Sequence, residues 1–185
     1  MDATRIAESL VAMQARSLLV IGDVMLDRYI DGRVTRMSPE APVPVLEKSA
    51  ESDMPGGAAN VACNLAALGC DVRLLAVTGD DAAGDRLASL LGSNLAIDFA
   101  RICDPDRPTT RKTRFRSDGQ QVLRVDEELT ASVSDDVQAR LLDSVKSQLA
   151  TVNAVILSDY AKGGLPVSLM QQIIAVANDA GIPVI

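Results

Sequence analysis

Three features of the sequence predict an α/β fold, a parallel sheet with helices on both faces. Short apolar runs alternate with helix-like stripes along the chain. The runs are continuous rather than period-two, as expected of strands covered on both faces. A unit of helix, glycine and strand recurs, which favours parallel strands joined by right-handed crossovers. Composition agrees: 48% of the 185 residues are hydrophobic and 2% aromatic, so the core is built from Ala, Val, Leu and Ile.

The elements follow in order. Met1 to Arg16 is an acid-bearing, helix-like stretch, and Ser17 to Gly22 (SLLVIG) reads as a buried strand. Ala58, Val61, Leu65 and Leu68 make a helical stripe that Gly69 ends. Val72 to Val77 (VRLLAV) is the next strand, and Ala82 to Leu91 a short helix closed by Gly92. Ser134 is a helix N-cap, with Asp135 and Asp136 in the first turn, where negative charge suits the helix dipole. Val137, Leu141, Val145 and Leu149 line that helix, and Val152 to Leu157 is a further strand. Pro166 starts a helix whose inner face is Leu169, Ile173, Val176 and Ala180, and Gly181 stops it. Ile182 to Ile185 then resembles the entry into another buried strand. This pattern leads us to expect a domain that continues past Ile185, the alternative being a short edge strand.

Two stretches interrupt the alternation. Tyr29 to Lys48 holds short extended pieces around Ser38-Pro39-Glu40-Ala41-Pro42-Val43-Pro44-Val45. Thr109 to Asp126 reads as a hairpin that turns at Ser117-Asp118-Gly119. A small β subdomain over one end of the main sheet accounts for both.

Several function classes are excluded. The net charge of −7 argues against a general nucleic-acid binder, which needs a basic face. No apolar run reaches membrane-spanning length, and the first residues lack the basic start and apolar middle of a signal peptide. Cys63, Cys70 and Cys103 form neither a disulfide framework nor a zinc motif, so buried free thiols in a reducing cytoplasm are expected. With no histidine, catalysis by Ser-His-Asp or Cys-His is ruled out for this chain, as are histidine metal sites. No GxGxxG follows the first strand and no GxxxxGK[ST] occurs, so neither a Rossmann fingerprint nor a P-loop is present.

Four segments could carry chemistry. Gly22-Asp23-Val24-Met25-Leu26-Asp27-Arg28 follows the first strand, where ligands of open α/β sheets sit. Asp23 and Asp27 could accept hydroxyl protons of a polyol, or could cap a turn. Pro55-Gly56-Gly57-Ala58-Ala59-Asn60 opens a helix with free amides, and Asn60 can donate to and accept from a sugar hydroxyl. A plain Gly-Gly turn with a solvated Asn is the alternative. Arg111, Lys112, Arg114, Arg116 and Arg124 crowd the hairpin, with Lys112, Arg114 and Arg116 on one face. They read either as a phosphate-binding face or as solvated charge that discourages edge pairing. In Ser158-Asp159-Tyr160-Ala161-Lys162-Gly163-Gly164, Asp159 could meet a hydroxyl and Lys162 an anion, or the segment is a turn before a helix.

Taken in order, GDVMLDRY, SPEAPVPV, PGGAANVA and LSDYAKG resemble the ribokinase-like (PfkB-type) carbohydrate kinases. Within them, SPEAPVPV spaced between GDVMLDRY and GGAAN is most similar to the bacterial D-glycero-D-manno-heptose-7-phosphate kinases of lipopolysaccharide precursor synthesis. The resemblance implies that residues 1–185 are the N-terminal part of one doubly wound kinase domain, with lid segments 29–48 and 109–126. It implies transfer of the ATP γ-phosphoryl group to the anomeric hydroxyl of the heptose 7-phosphate, with Mg²⁺ as the metal. Asp27, Gly56, Gly57 and Asn60 would hold sugar hydroxyls, Lys112, Arg114 and Arg124 the sugar phosphate, and Asp159 would face the cleft. A cytoplasmic homodimer through the lid is also implied. The family's GAGD motif, which carries the catalytic base, does not occur, so no catalytic or metal-binding residue is assigned and the chain by itself is expected to be inactive. Other readings are another ribokinase-like sugar or nucleoside kinase, and a non-catalytic sugar-phosphate-binding or dimerisation module.

Overall fold

The computed structural model describes residues 2–94 and 96–185; Met1, where the first helix-like stretch begins, lies outside them. In chain order the elements are α1 (Ala3–Met13), β1 (Ser17–Gly22), β2 (Val24–Met37), β3 (Pro44–Gly57), α2 (Ala58–Ala67) and β4 (Asp71–Thr78). They continue with α3 (Ala82–Gly92), β5 (Ile97–Cys103), β6 (Arg111–Ser117), β7 (Gln120–Glu127), α4 (Asp135–Gln148), β8 (Ala154–Ser158) and α5 (Val167–Asp179).

The main sheet has the order β5-β4-β1-β8 and is parallel throughout. Alternate residues of β1 feed two cores. Leu19 and Ile21 pack with Val137, Leu141 and Val145 of α4 and Leu169, Ile173 and Ala177 of α5. Val20 packs with Ala58, Ala59 and Ala62 of α2 and Leu87 and Leu91 of α3. Both faces of the sheet are therefore buried, which is why its strands read as unbroken apolar runs. Beyond β8, Leu157 N–H donates to Ile185 O and Ile185 N–H to Val155 O, each at 2.9 Å, so the last residues pair parallel to β8.

The second sheet has the order β3-β2-β6-β7, with β2 parallel to β6 and the other two pairs antiparallel. Its first hairpin is much longer than the expected 29–48 segment. β2 starts at Val24, one residue after β1, and β3 runs on to Gly57. Few residues of these two strands are buried, so apolar alternation does not mark them. The SPEAPVPV block supplies the turn between them: Ser38 N–H donates to Val43 O at 2.8 Å, and Pro39 and Pro42 have no N–H to give a ladder. The second hairpin turns at Asp118 and Gly119, whose φ values of 49° and 82° suit a tight hairpin turn.

Other expectations are corrected. β5 was not foreseen, because Asp98 and Arg101 break up its apolar residues at the sheet edge. Pro55, Gly56 and Gly57 end a strand, which was not expected, while Gly57 is the N-cap of α2, so the segment does open that helix. Leu68 is exposed and Ala62 buried in its place, and Ala177 rather than Ala180 packs inward from α5. Ser134 does cap α4, accepting from Val137 N–H at 3.4 Å.

Candidate functional site

The junction of the two sheets is organised by Asp23, the single residue between β1 and β2. Its side chain is buried and accepts from the N–H groups of Tyr160 and Lys162 at 2.9 Å and of Gly164 at 3.0 Å. Those amides belong to the loop after β8. Asp23 therefore holds a turn and is not available to a sugar, so the hydroxyl-accepting alternative fails for it. Its carbonyl accepts from Ala58 N–H at 2.9 Å. Gly57 passes that carbonyl at φ 60°, where a β-carbon would overlap it, so the position requires glycine.

Asp27 lies on β2 with its carboxylate directly over Gly56 of β3, so close that a side chain at Gly56 would overlap it. Asp27 Oδ1 also accepts from Arg114 at 2.5 Å. Lys112, Arg114 and Arg116 follow one another along one face of β6, opposite Asp27, Tyr29 and Asp31 of β2. Arg116 forks onto both oxygens of Asp31 at 2.7 and 2.8 Å. The Arg114 and Arg116 guanidinium carbons lie 5.4 and 4.6 Å from the Tyr29 ring centre.

These cations are paired with acids of the chain itself, an arrangement that neither the phosphate-face nor the solvated-strand reading anticipated. Arg111 pairs with Glu127, Arg124 with Asp126 at 2.8 Å, and Lys112 with Asp126 at 3.0 Å and Glu128 at 3.2 Å. Lys162, from the loop after β8, reaches the other oxygen of Glu128 at 2.9 Å. Lys162 foremost, and Lys112 with it, hold the Glu128 carboxyl below its ordinary value against the opposing effect of burial. Burial works against the charge of Asp126, but Lys112 and Arg124 outweigh it.

The structure thus brings Asp27, Gly56, Gly57, Lys112, Arg114 and Arg124 into one region. Asn60 stands exposed on the first turn of α2. Asp159 is exposed, and its carboxylate accepts from Ala161 N–H at 2.7 Å within its own loop. Among the described residues, no hydrogen bond or ion pair joins Asn60 or Asp159 to the other six. The sequence reading missed Glu128, because an acid just past an exposed strand carries no local signal. It also missed Arg107, whose guanidinium donates to the carbonyls of Leu129, Ala131 and Lys162 at 3.0, 3.1 and 3.0 Å. Among the described residues no three Asp, Glu or Cys side chains converge.

Solved structures share this architecture. A carbohydrate kinase from Agrobacterium tumefaciens superposes with a TM-score of 0.70 at 23% identity, covering 91% of this chain and 52% of that one. The tetrameric inhibited form of phosphofructokinase-2 from Escherichia coli gives 0.69 at 21% identity, covering 92% and 54%. Curated relatives are nearer in sequence. The bifunctional protein HldE of Hyphomonas neptunium is 44% identical over 183 residues, 99% of this chain and 38% of that protein. HldE of Caulobacter sp. is 47% identical over 174 residues, 94% of this chain and 35% of that protein. The chain therefore spans little more than a third of the curated relatives it matches. The sequence pattern described as "pfkB family carbohydrate kinase" matches residues 15–185, nearly the whole chain, and shows that the chain belongs to that family.

Proposed function

We propose that the chain forms the sugar-binding part of a kinase that phosphorylates the anomeric hydroxyl of D-glycero-D-manno-heptose 7-phosphate. The observation that carries this reading is the Asp27 carboxylate over Gly56, beside the cationic face of β6. An acceptor for hydroxyls next to cations for a phosphate suits a phosphorylated sugar. The motif resemblance and the relatives named HldE favour heptose over other sugars. In this reading Asp27 and Asn60, with the backbone of Gly56 and Gly57, hold hydroxyls. Lys112, Arg114 and Arg124 meet the 7-phosphate, and Asp159 borders the cleft. These residues position the sugar, the part of phosphoryl transfer that rests on orientation and charge neutralisation. ATP with Mg²⁺ is the expected donor, and no step through either is assigned to these residues.

A fructose phosphate is the second reading, since phosphofructokinase-2 from Escherichia coli, which shares the fold, forms a complex with fructose-6-phosphate. Calorimetric titration with heptose 7-phosphate, unphosphorylated heptose and fructose 6-phosphate separates the readings. Heptose 7-phosphate should bind most tightly, and a preference for fructose 6-phosphate would overturn the assignment. A homodimer through the second sheet fits its edge strand β7, where Val122, Leu123 and Val125 are 49, 55 and 42% exposed. Light scattering of the purified chain should return twice the 19.5 kDa mass. A cytoplasmic location is consistent with the absence, among the described residues, of a helix long and apolar enough to cross a membrane.

A further inference from the structure

One ion-pair group joins the two sheets, and the sugar-phosphate reading leaves its central member unused. Glu128, one residue past β7, receives Lys162 Nζ on Oε1 at 2.9 Å and Lys112 Nζ on Oε2 at 3.2 Å. Lys162 belongs to the loop after β8 and Lys112 to β6, so the contact ties the main sheet to the second one. The Glu128, Lys162 and Lys112 side chains are 22, 17 and 13% exposed, partly withdrawn from water, where charge interactions strengthen.

The backbone around this contact is held from several sides. Asp23 accepts from Lys162 N–H, and the Arg107 guanidinium donates to the Lys162 carbonyl. The same guanidinium holds the carbonyls of Leu129 and Ala131, just after Glu128. Two ammonium groups are thus fixed about the two oxygens of one carboxylate. A phosphate monoester offers oxygens in a similar disposition and carries more charge. Glu128 stands where such a group would bind, and Asp126 adds a second negative charge against Lys112.

Resting on the reading of the substrate as a sugar phosphate, we propose that Glu128 gates the phosphate seat between Lys112 and Lys162. A sugar phosphate displaces Glu128 because its hydroxyls are held at the same time by Asp27 and its neighbours. Inorganic phosphate brings no such contacts and is turned away. Glu128 therefore determines specificity by discriminating against anions that lack the sugar.

Titration of the chain with inorganic phosphate and with heptose 7-phosphate tests this, alongside Glu128→Gln and Glu127→Gln variants. Glu127 is the control: it is also an acid of this segment, but it pairs with Arg111. Glu128→Gln should bind inorganic phosphate about tenfold tighter or more, the scale of one close charge removed. Glu127→Gln should stay within about twofold of the parent. The gain should disappear when Lys162→Gln is added to Glu128→Gln. If folded Glu128→Gln gains nothing, or if Glu127→Gln gains as much, the gate is wrong. Tight phosphate binding by Glu128→Gln with no heptose 7-phosphate binding to either protein keeps the gate and removes the heptose reading. Should Glu128→Gln fail to fold, carboxyl carbon NMR of the unmodified chain decides. Saturation with a bound sugar phosphate should shift the Glu128 resonance, and an unmoved resonance would overturn the proposal.

Discussion

Asp27 and Asn60 carry the clearest expectations for single residues. Asp27→Ala and Asn60→Ala should each weaken sugar binding by roughly 1–3 kcal/mol, since each leaves a hydroxyl without its partner in the bound complex. Asp27→Ala also strips Arg114 of its carboxylate, so Asp27→Asn is the cleaner variant. Lys112→Ala should differ in kind, penalising heptose 7-phosphate far more than unphosphorylated heptose. Equal losses for both sugars would make Lys112 a charge of the sheet surface and nothing more. Asp23 is expected to show in stability instead. Three backbone N–H groups converge on its buried carboxylate, so Asp23→Ala should lower unfolding stability by about 3 kcal/mol. Urea denaturation measures this, and a change below about 0.5 kcal/mol, the size of an ordinary surface substitution, would contradict the assigned role. The motif GDVMLDR marked both acids but did not separate them. Spacing alone does not reveal that the first turns inward to a loop more than 130 residues away, while the second lies over a glycine of the neighbouring strand.

At the scale of elements, ion pairs join the second sheet to the main part of the chain, beside the buried apolar start of β2. Asp53 of β3 accepts from Arg28 of β2 at 2.8 Å and from Arg86 of α3 at 2.9 Å. Arg28 foremost, and Arg86 with it, hold the Asp53 carboxyl below its ordinary value against burial. Glu128 and Asp126 are lowered by their own cations. A carboxyl whose folded value is depressed contributes stability that is complete above its unfolded value and is lost as pH falls through the folded one. Stability should therefore be level from about pH 8 to pH 5 and decline below about pH 4. No histidine is present to add a transition near neutrality. Urea midpoints measured from pH 7 to pH 3 check the profile, and Asp53→Asn should flatten the acid limb. A main loss between pH 6 and 7 would contradict it. This sheet was also the element least legible in the sequence. A strand with one buried face shows as apolar alternation, whereas β7 is exposed along its whole length and β2 is buried only at its start. Long strands made of charged cross-strand pairs carry no such pattern.

At the scale of the whole molecule, the chain should bind a sugar phosphate without turning it over. It has no GAGD segment, which by the family resemblance carries the catalytic base. Coupled-enzyme assay of purified chain with ATP, Mg²⁺ and heptose 7-phosphate should stay at background. Turnover lost in Asp27→Ala would show that residues present here suffice for chemistry. The sequence by itself determined the parallel sheet, its two-sided cover and the family, because burial on both faces imposes continuous apolar runs and GDVMLDRY, SPEAPVPV, PGGAANVA and LSDYAKG stand in order. Only the tertiary structure decided what the charges do. The pairing of Glu128 with Lys112 and Lys162, and of Asp27 with Arg114, joins residues brought close by the docking of two sheets. Charge interactions depend on distance through space, and a local pattern of residue types does not encode that distance.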